Sequence, residues 1–307
     1  MAIIVMGTVF VDIKGFPYDT YLPTGRNSGW VETVHGGVGR NVAEDIANIG
    51  LHSVLLSLVD DTAAGKEVLG RLQDHQVDTR YMLTRPDGMG IWLAVFDNTG
   101  DLAGSISKRP VTMPIADLMD EKGDEIFKDA DSIVIEIDME EEIIERVFQY
   151  AARYHIPVYA LVSNMVIASQ RRDFLQRTDC FVCNLQEAEL LFVDDLSHFA
   201  PEELADDLYR RITHASIPSM IITLGSEGAV YASLDGERGY YPPETVNVRD
   251  TSGAGDAFCA GAAAGLTCGK SMREAVEIGT RLAASVITIS ESTCPRFKPQ
   301  ELGLVVL

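Results

Sequence analysis

Short apolar runs of strand length recur along the chain, with longer amphipathic stretches between many of them. Ile3–Gly7, Ser53–Leu58, Ser132–Ile137, Pro157–Leu161, Cys180–Cys183, Met220–Leu224 and Gly228–Tyr231 read as strands. Val38–Ile49 sets Val42, Ile46 and Ile49 on one helical face and stops at Gly50, a residue suited to the left-handed conformation that ends helices. Glu141–Tyr154 repeats that spacing through Ile144, Val147 and Ala151. Strands that alternate with helices predict a parallel sheet covered on both faces.

Two segments break the rhythm. Phe10–Val34 carries Gly15, Pro17, Pro23, Gly25 and Gly29 and short β-like pieces such as Trp30-Val31. Gly90–Lys108 reads as a hairpin, with Ile91–Phe96 and Leu102–Ser107 joined by a turn at Asp97-Asn98-Thr99-Gly100. Both are expected to form a small sheet that stands apart as a lid, spanning about residues 10–34 and 90–108, within one domain over residues 1–307.

Composition narrows the partners. The chain has 307 residues, with 46 acidic against 25 basic side chains and a formal charge of -21. That balance argues against a nucleic-acid or anionic-membrane surface, both of which need clustered Lys and Arg. No apolar run approaches the roughly eighteen residues of a membrane span. Met1 runs into Ile3-Ile4-Val5-Met6 without a basic leader region, so no secretory signal is expected. Five cysteines, an odd number in a long chain, suit a reducing cytoplasm. Cys180 and Cys183 form a lone C-x-x-C with no second pair, and read as two small buried residues near a strand end.

The stretch that carries most chemistry is Asp250-Thr251-Ser252-Gly253-Ala254-Gly255-Asp256-Ala257-Phe258, followed by an Ala- and Gly-rich helix. The first N–H groups of a helix lack intrahelical partners and sit at the positive end of its dipole. Glycines there let a phosphate approach without a Cβ in the way. A carboxylate beside such a cradle repels a phosphate, so Asp256 needs a reason to be present. A substrate hydroxyl that loses its proton as it attacks phosphorus supplies one. A simple helix cap accounts for Asp256 alone, but not for the G-A-G-D turn and the small-residue helix after it.

D-T-S-G-A-G-D-A-F resembles the C-terminal signature of the ribokinase-like, PfkB-type carbohydrate kinases. Gly36-Gly37-Val38-Gly39-Arg40-Asn41 is similar to that family's N-terminal Gly-Gly motif, Asn184-Leu185-Gln186-Glu187 to its N-x-x-E motif, and Thr223-Leu224-Gly225-Ser226-Glu227-Gly228 to its T-L-G-x-x-G strand-turn. The four stretches follow in the family's order along the whole chain. The resemblance implies an α/β fold, a three-layer αβα sandwich with a mostly parallel central sheet and a β-lid, with ATP as donor and Mg²⁺. It implies Asp256 as catalytic base and the amides of Gly253, Ala254 and Gly255 as an anion hole. Asp12, Gly37, Asn41 and Asp138 match substrate-binding positions. Asn184, Thr223, Gly225 and Gly228 match nucleotide-binding positions, and Glu187 one that orders the metal shell through water. Asp250, Ser252 and the backbone of 285–292 resemble a loop that holds a monovalent cation such as K⁺. A lid with one apolar face also implies a homodimer through paired lids.

Several of these residues have plainer readings. Asn184 and Glu187 are also what a helix N-cap and first turn would carry, and Gly36–Gly39 is also a tight strand-to-helix turn. Glu140–Glu142 reads as a solvated helix start and the six histidines as scattered. Gly265–Ser271 looks like a phosphate-binding Walker loop but is one residue short and follows a helix, so it reads as a helix end and turn. The enzyme reading competes with a sugar- or nucleoside-binding sensor that kept the fold and lost catalysis. A nicotinamide dehydrogenase is disfavoured, because no G-x-G-x-x-G follows the first strand.

The acceptor is less legible. G-G-V-G-R-N resembles the pseudouridine-kinase branch, with Arg40 as its main mark. Phe10, where that branch usually has Asn, and Ser107-Lys108-Arg109-Pro110 depart from it. Phe10 with Trp30 or Trp92 offers an apolar wall for a base or sugar, and Lys108 and Arg109 offer charge for an acceptor phosphate.

Overall fold

The computed structural model describes residues 1–305. Its central sheet runs in spatial order β14 (Arg238–Tyr241), β13 (Ala229–Ser233), β12 (Ser219–Thr223), β11 (Cys180–Asn184), β10 (Val158–Leu161), β9 (Ser132–Glu136), β1 (Ala2–Met6) and β4 (His52–Leu56). The strands from β4 to β12 are parallel; β13 runs antiparallel to β12, and β14 antiparallel to β13. The run Ser53–Leu58 does not stay one strand. After β4 the chain leaves the sheet, and β5 (Leu58–Val59) pairs with β6 (Leu83–Thr84) instead.

Alternation along each strand sorts the core into two layers. Ile4 and Met6 pack with α3 (Pro114–Phe127), α4 (Glu141–Tyr154), α7 (Leu185–Phe192) and α8 (Pro201–Ala215), while Ile3 and Val5 pack with α1 (Val38–Asn48), α2 (Ala63–Asp74), α9 (Ala254–Thr267) and α10 (Met272–Ile287). Two one-turn helices, α5 (Met165–Ala168) and α6 (Arg172–Leu175), lie between β10 and β11. The result is the expected three-layer sandwich. The same alternation disposes of the C-x-x-C: three residues apart on β11, Cys180 enters one core layer and Cys183 the other, so they cannot share a metal.

The Ala- and Gly-rich composition of α9 follows from where it lies. Every residue from Ala257 to Gly265 is buried, among α1, α10 and the sheet. A Cβ on Gly261 would fall 2.9 Å from the Gly279 Cα, so α9 and α10 meet backbone to backbone. The helix ends at Thr267, Gly269 turns with φ 73°, and Ser271 caps α10 with Glu274, so the Walker-like stretch is a helix end and turn as expected.

The lid is a four-stranded sheet in the order β3 (Gly29–Gly36), β2 (Phe10–Pro17), β7 (Gly90–Phe96) and β8 (Leu102–Lys108). The hairpin lies where its turn placed it. The first segment forms longer strands than its turn residues suggested: β2 and β3 pair over eight residues each, and the intervening turn is confined to 18–28. The Phe-Val-Asp-Ile-Lys alternation of β2 is satisfied on both sides, by β3 and by β7 in parallel register.

Candidate active site

A cavity of about 990 Å³ opens between the lid and the carboxyl ends of the central strands, where ligands of open α/β sheets bind. Asp256, Gly253, Asn41, Gly37 and Asp12 all line it. Gly253 is the N-cap of α9 with φ 79°, and a Cβ there would sit 2.0 Å from the Ser292 carbonyl oxygen. Only glycine fits that position. Gly255 differs, since a Cβ on it meets nothing and open space lies before it. Ala254 N–H donates to the Thr251 carbonyl at 3.3 Å, whereas among the described residues the Gly253 and Gly255 amides have no hydrogen-bond partner.

Asp256 stands in the first turn of α9, and its Oδ2 accepts a hydrogen bond from Asn41 Nδ2 at 2.7 Å. Burial pushes its carboxyl up to about 6, against the pull of the Asn41 hydrogen bond and of Arg40. That is the range of a general base at neutral pH. Gly37 precedes α1 with φ 98°, where a side chain would strike the Thr8 carbonyl at 2.5 Å. Gly36 has the same constraint for another reason, because a Cβ would lie 2.5 Å from an Asp12 oxygen. Asp12 thus leans over the Gly-Gly turn, and burial raises its carboxyl above the usual range despite Lys14 and Arg40.

Asp138 sits differently. Its side chain is fully buried and accepts from Arg109 Nη1 at 2.9 Å, from Ser163 N–H at 2.9 Å and from Ser163 Oγ at 2.8 Å. Arg109 therefore covers it, and Arg109, not Asp138, lines the cavity. Arg40 borders the cavity, but its head group is held: buried, it pairs with Glu44 at 2.9 Å and donates to His35 O at 2.5 Å and Ser292 Oγ at 3.0 Å. Glu44 further holds Arg71 at 2.8 Å and Thr293 at 2.7 Å. Burial opposes its ionisation, yet Arg71, Arg40 and Thr293 bring its carboxyl down to about 2. Through this cluster α1 pins the 292–294 segment that closes behind Gly253. The Ser292 carbonyl lies against Gly253, and Arg249 N–H donates to the Ile287 carbonyl at the end of α10 at 2.7 Å, so the two stretches expected to form a cation loop lie side by side.

The lid residues divide by strand parity. Phe10, Trp92 and Arg109 line the cavity; Trp30 shares that face of the lid but stacks on Phe16 at 5.0 Å outside the lining, and Lys108, of opposite parity to Arg109, turns outward to Asp87 at 3.0 Å. Lys14 escaped the sequence reading. It lines the cavity and reaches to 3.5 Å from Ser252 Oγ, bridging lid and body. Its signal was present: Phe10, Asp12 and Lys14 share one face of any continuous strand.

The expected nucleotide residues lie on the neighbouring strand ends. Asn184 closes β11 and is in register with Thr223 at the end of β12. Asn184 Oδ1 accepts from Glu187 N–H at 2.9 Å, and Glu187 Oε2 accepts from Asn184 N–H at 2.8 Å, a reciprocal cap of α7. Gly225, at φ 60°, faces open space, whereas Gly228, at φ 90°, has no room for a side chain, with the Tyr241 carbonyl 2.2 Å from its ideal Cβ. Burial, together with the negative charge of Asp138 and Asp256, raises the Glu187 carboxyl. Among the described residues no three His, Cys, Asp or Glu side chains gather to hold a metal. A lone carboxylate suits Mg²⁺, which keeps most of its water and is shared with phosphates.

Residues 2–296 match the pfkB family of carbohydrate kinases. The chain is 32% identical over 292 residues to a guanosine-inosine kinase of Exiguobacterium acetylicum, covering 94% of this chain and 95% of that one. It is 26% identical to the pseudouridine kinase of Escherichia coli K12, over 95% and 92% of the two chains. Its fold is that of an Arabidopsis thaliana ribokinase solved with ribose and ATP, with a TM-score of 0.83 and 19% identity over 98% of this chain and 99% of that one. With its glycine-bound helix start, its carboxylate facing the lid cavity and this family match along nearly its whole length, the chain belongs to the pfkB family of carbohydrate kinases, phosphotransferases that act on a hydroxyl group.

Proposed function

We propose that the protein transfers the γ-phosphoryl group of ATP to the primary hydroxyl of a nucleoside, with Asp256 as general base. The observation that carries this reading is the Asp256–Asn41 contact of 2.7 Å at the start of α9, facing the same cavity as Asp12. Asn41 holds one carboxylate oxygen, so the other is left to take the proton of the attacking hydroxyl. The Gly253 and Gly255 amides would receive charge on the phosphoryl oxygens, at the positive end of the helix dipole. Asn184, Thr223 and Gly225 would position the nucleotide. Glu187 would hold the water shell of Mg²⁺, which neutralises phosphate charge when bound. The lid would close the site to water, the competing acceptor.

A nucleoside is favoured over a free sugar by the reach of the site. Asp12, Trp92 and Ser107 form one cross-strand row on the cavity face, and two strand spacings span roughly 10 Å. A pentose alone fills part of that row. Two of the relatives named above are nucleoside kinases by name, consistent with this. The opposite lid face exposes Val31, Ile91, Leu93 and Ile106, and in this reading pairs with the lid of a second copy.

The test is ADP release from Mg-ATP with inosine, guanosine, pseudouridine, adenosine, ribose and fructose 6-phosphate as acceptors. A nucleoside should exceed both sugars by at least roughly tenfold in kcat/KM, the low end of what added pocket contacts discriminate. Turnover of a sugar or sugar phosphate alone would sink the nucleoside assignment.

A further inference from the structure

We propose that Arg109 reads the carbonyl edge of a purine base, which makes the preferred acceptor a 6-oxopurine nucleoside. This rests on the nucleoside reading above and adds to it a residue and a base class. The row that starts at Asp12 and passes Trp92 ends at Ser107, and Arg109 follows two residues on, just past the end of β8, on the same cavity face. A ribose held at Asp12 sends its base across Trp92 toward Arg109.

The guanidinium is set for such a role. The fully buried Asp138 takes Nη1 at 2.9 Å, and the Asp138 carbonyl takes Nη2 at 3.3 Å. Ser163 holds that carboxylate from the other side with two hydrogen bonds, so the plane of the fork is fixed from beneath. Guanidinium has five N–H donors and no acceptor. Those not given to Asp138 belong to a side chain that is 35% exposed on the cavity wall.

A donor-only fork selects by chemistry. Guanine and hypoxanthine present O6 and N7, two adjacent acceptors that an arginine fork meets together. Adenine replaces O6 with an amino donor, so donor would face donor. Uracil offers single carbonyls flanked by N–H and meets one prong only. The charge of Arg109 is already balanced by Asp138, which suits a neutral carbonyl better than a phosphate.

The experiment compares kcat/KM for inosine and for purine riboside, which lacks the 6-oxygen, in the wild type and in Arg109→Met. The wild type should favour inosine by roughly 10- to 100-fold, the worth of a charge-assisted hydrogen bond. In R109M that ratio should fall to within about threefold of one. Arg109→Met leaves Asp138 buried and unpaired, so Arg109→Met with Asp138→Asn is measured beside it and should give the same collapse in ratio. A wild-type ratio near one, or a ratio that survives in the folded variant, overturns the role of Arg109 and leaves the nucleoside reading standing. A wild type that turns over neither nucleoside, while it phosphorylates a sugar, overturns both.

Discussion

On the acceptor side of the site the polar contacts join residues far apart in the chain: Asn41 and Asp256 are separated by 215 positions, Lys14 and Ser252 by 238, and Glu44 and Thr293 by 249. On the nucleotide side they are local, and Asn184 and Glu187 satisfy each other across three residues. The first arrangement exists only when lid, α1 and α9 have come together. The second forms with one helix turn. A base whose protonation must be tuned needs many elements around it, whereas groups that meet a nucleotide and a hydrated metal need only be presented at a strand end.

The largest test of this contrast is Asp256→Asn, which keeps the shape and hydrogen bonding of the acceptor side and removes the base. Turnover should fall roughly 10²- to 10⁴-fold, with nucleotide affinity retained by calorimetry. Near-normal turnover would falsify the base assignment. The two glycines of the turn divide the same region by their surroundings. Gly255→Ala puts a methyl into open space, so the melting temperature should hold while turnover drops roughly 10²-fold, about the loss of one anion-hole donor. Gly253→Ala drives a Cβ against Ser292 at positive φ and should cost more than about 1 kcal/mol of stability by denaturant titration. If the two variants behaved alike, the turn would have no separate structural and ligand-facing glycines.

On the nucleotide side Glu187→Gln separates cap from metal site. Gln still accepts the Asn184 N–H, so α7 should melt as before, but half-maximal rate should need roughly 10- to 100-fold more Mg²⁺. An unchanged Mg²⁺ curve would reduce Glu187 to a cap. The pH profile sharpens the contrast further. With Asp256 at about 6 and active when ionised, log kcat/KM should fall with unit slope as pH drops below about 6. The Asn41 hydrogen bond lowers that value, so Asn41→Ala should move the acid limb to higher pH, and a limb that stayed put would assign it to another group. The smallest expected effect lies outside both regions. Ile106→Lys, on the outer lid face, tests the proposed pairing of lids: it should shift sedimentation toward monomer relative to the wild type, with little change in the melting temperature.

Much of the frame was open to reading. The Ile-Ile-Val-Met and Ser-Ile-Val-Ile-Glu runs read as strands of a sheet covered on both faces, and the Gly-Ala-Gly-Asp turn as a helix start before a helix whose small residues pack closely on the sheet. Lys14 and the long β2 were missed because Gly15 and Pro17 looked like turn residues, and pairing to β3 and β7 outweighed that local preference. Asn184 and Glu187 stayed ambiguous for a physical reason, since the residues that cap a helix are those that would meet a nucleotide there.

By itself the sequence determined the two-sided sheet, the order of the four motifs and the glycine turn that carries Asp256, because these depend on local periodicity and on backbone freedom. It did not decide between Lys108 and Arg109, or between Asp138 and the arginine that covers it. Adjacent strand residues point to opposite faces, and which face becomes the cavity is set by register with distant strands. Lid strand β8 pairs with β7 so that Ser107 joins the row of Asp12 and Trp92; Arg109 follows on that side, over Asp138, and Lys108 turns away to Asp87.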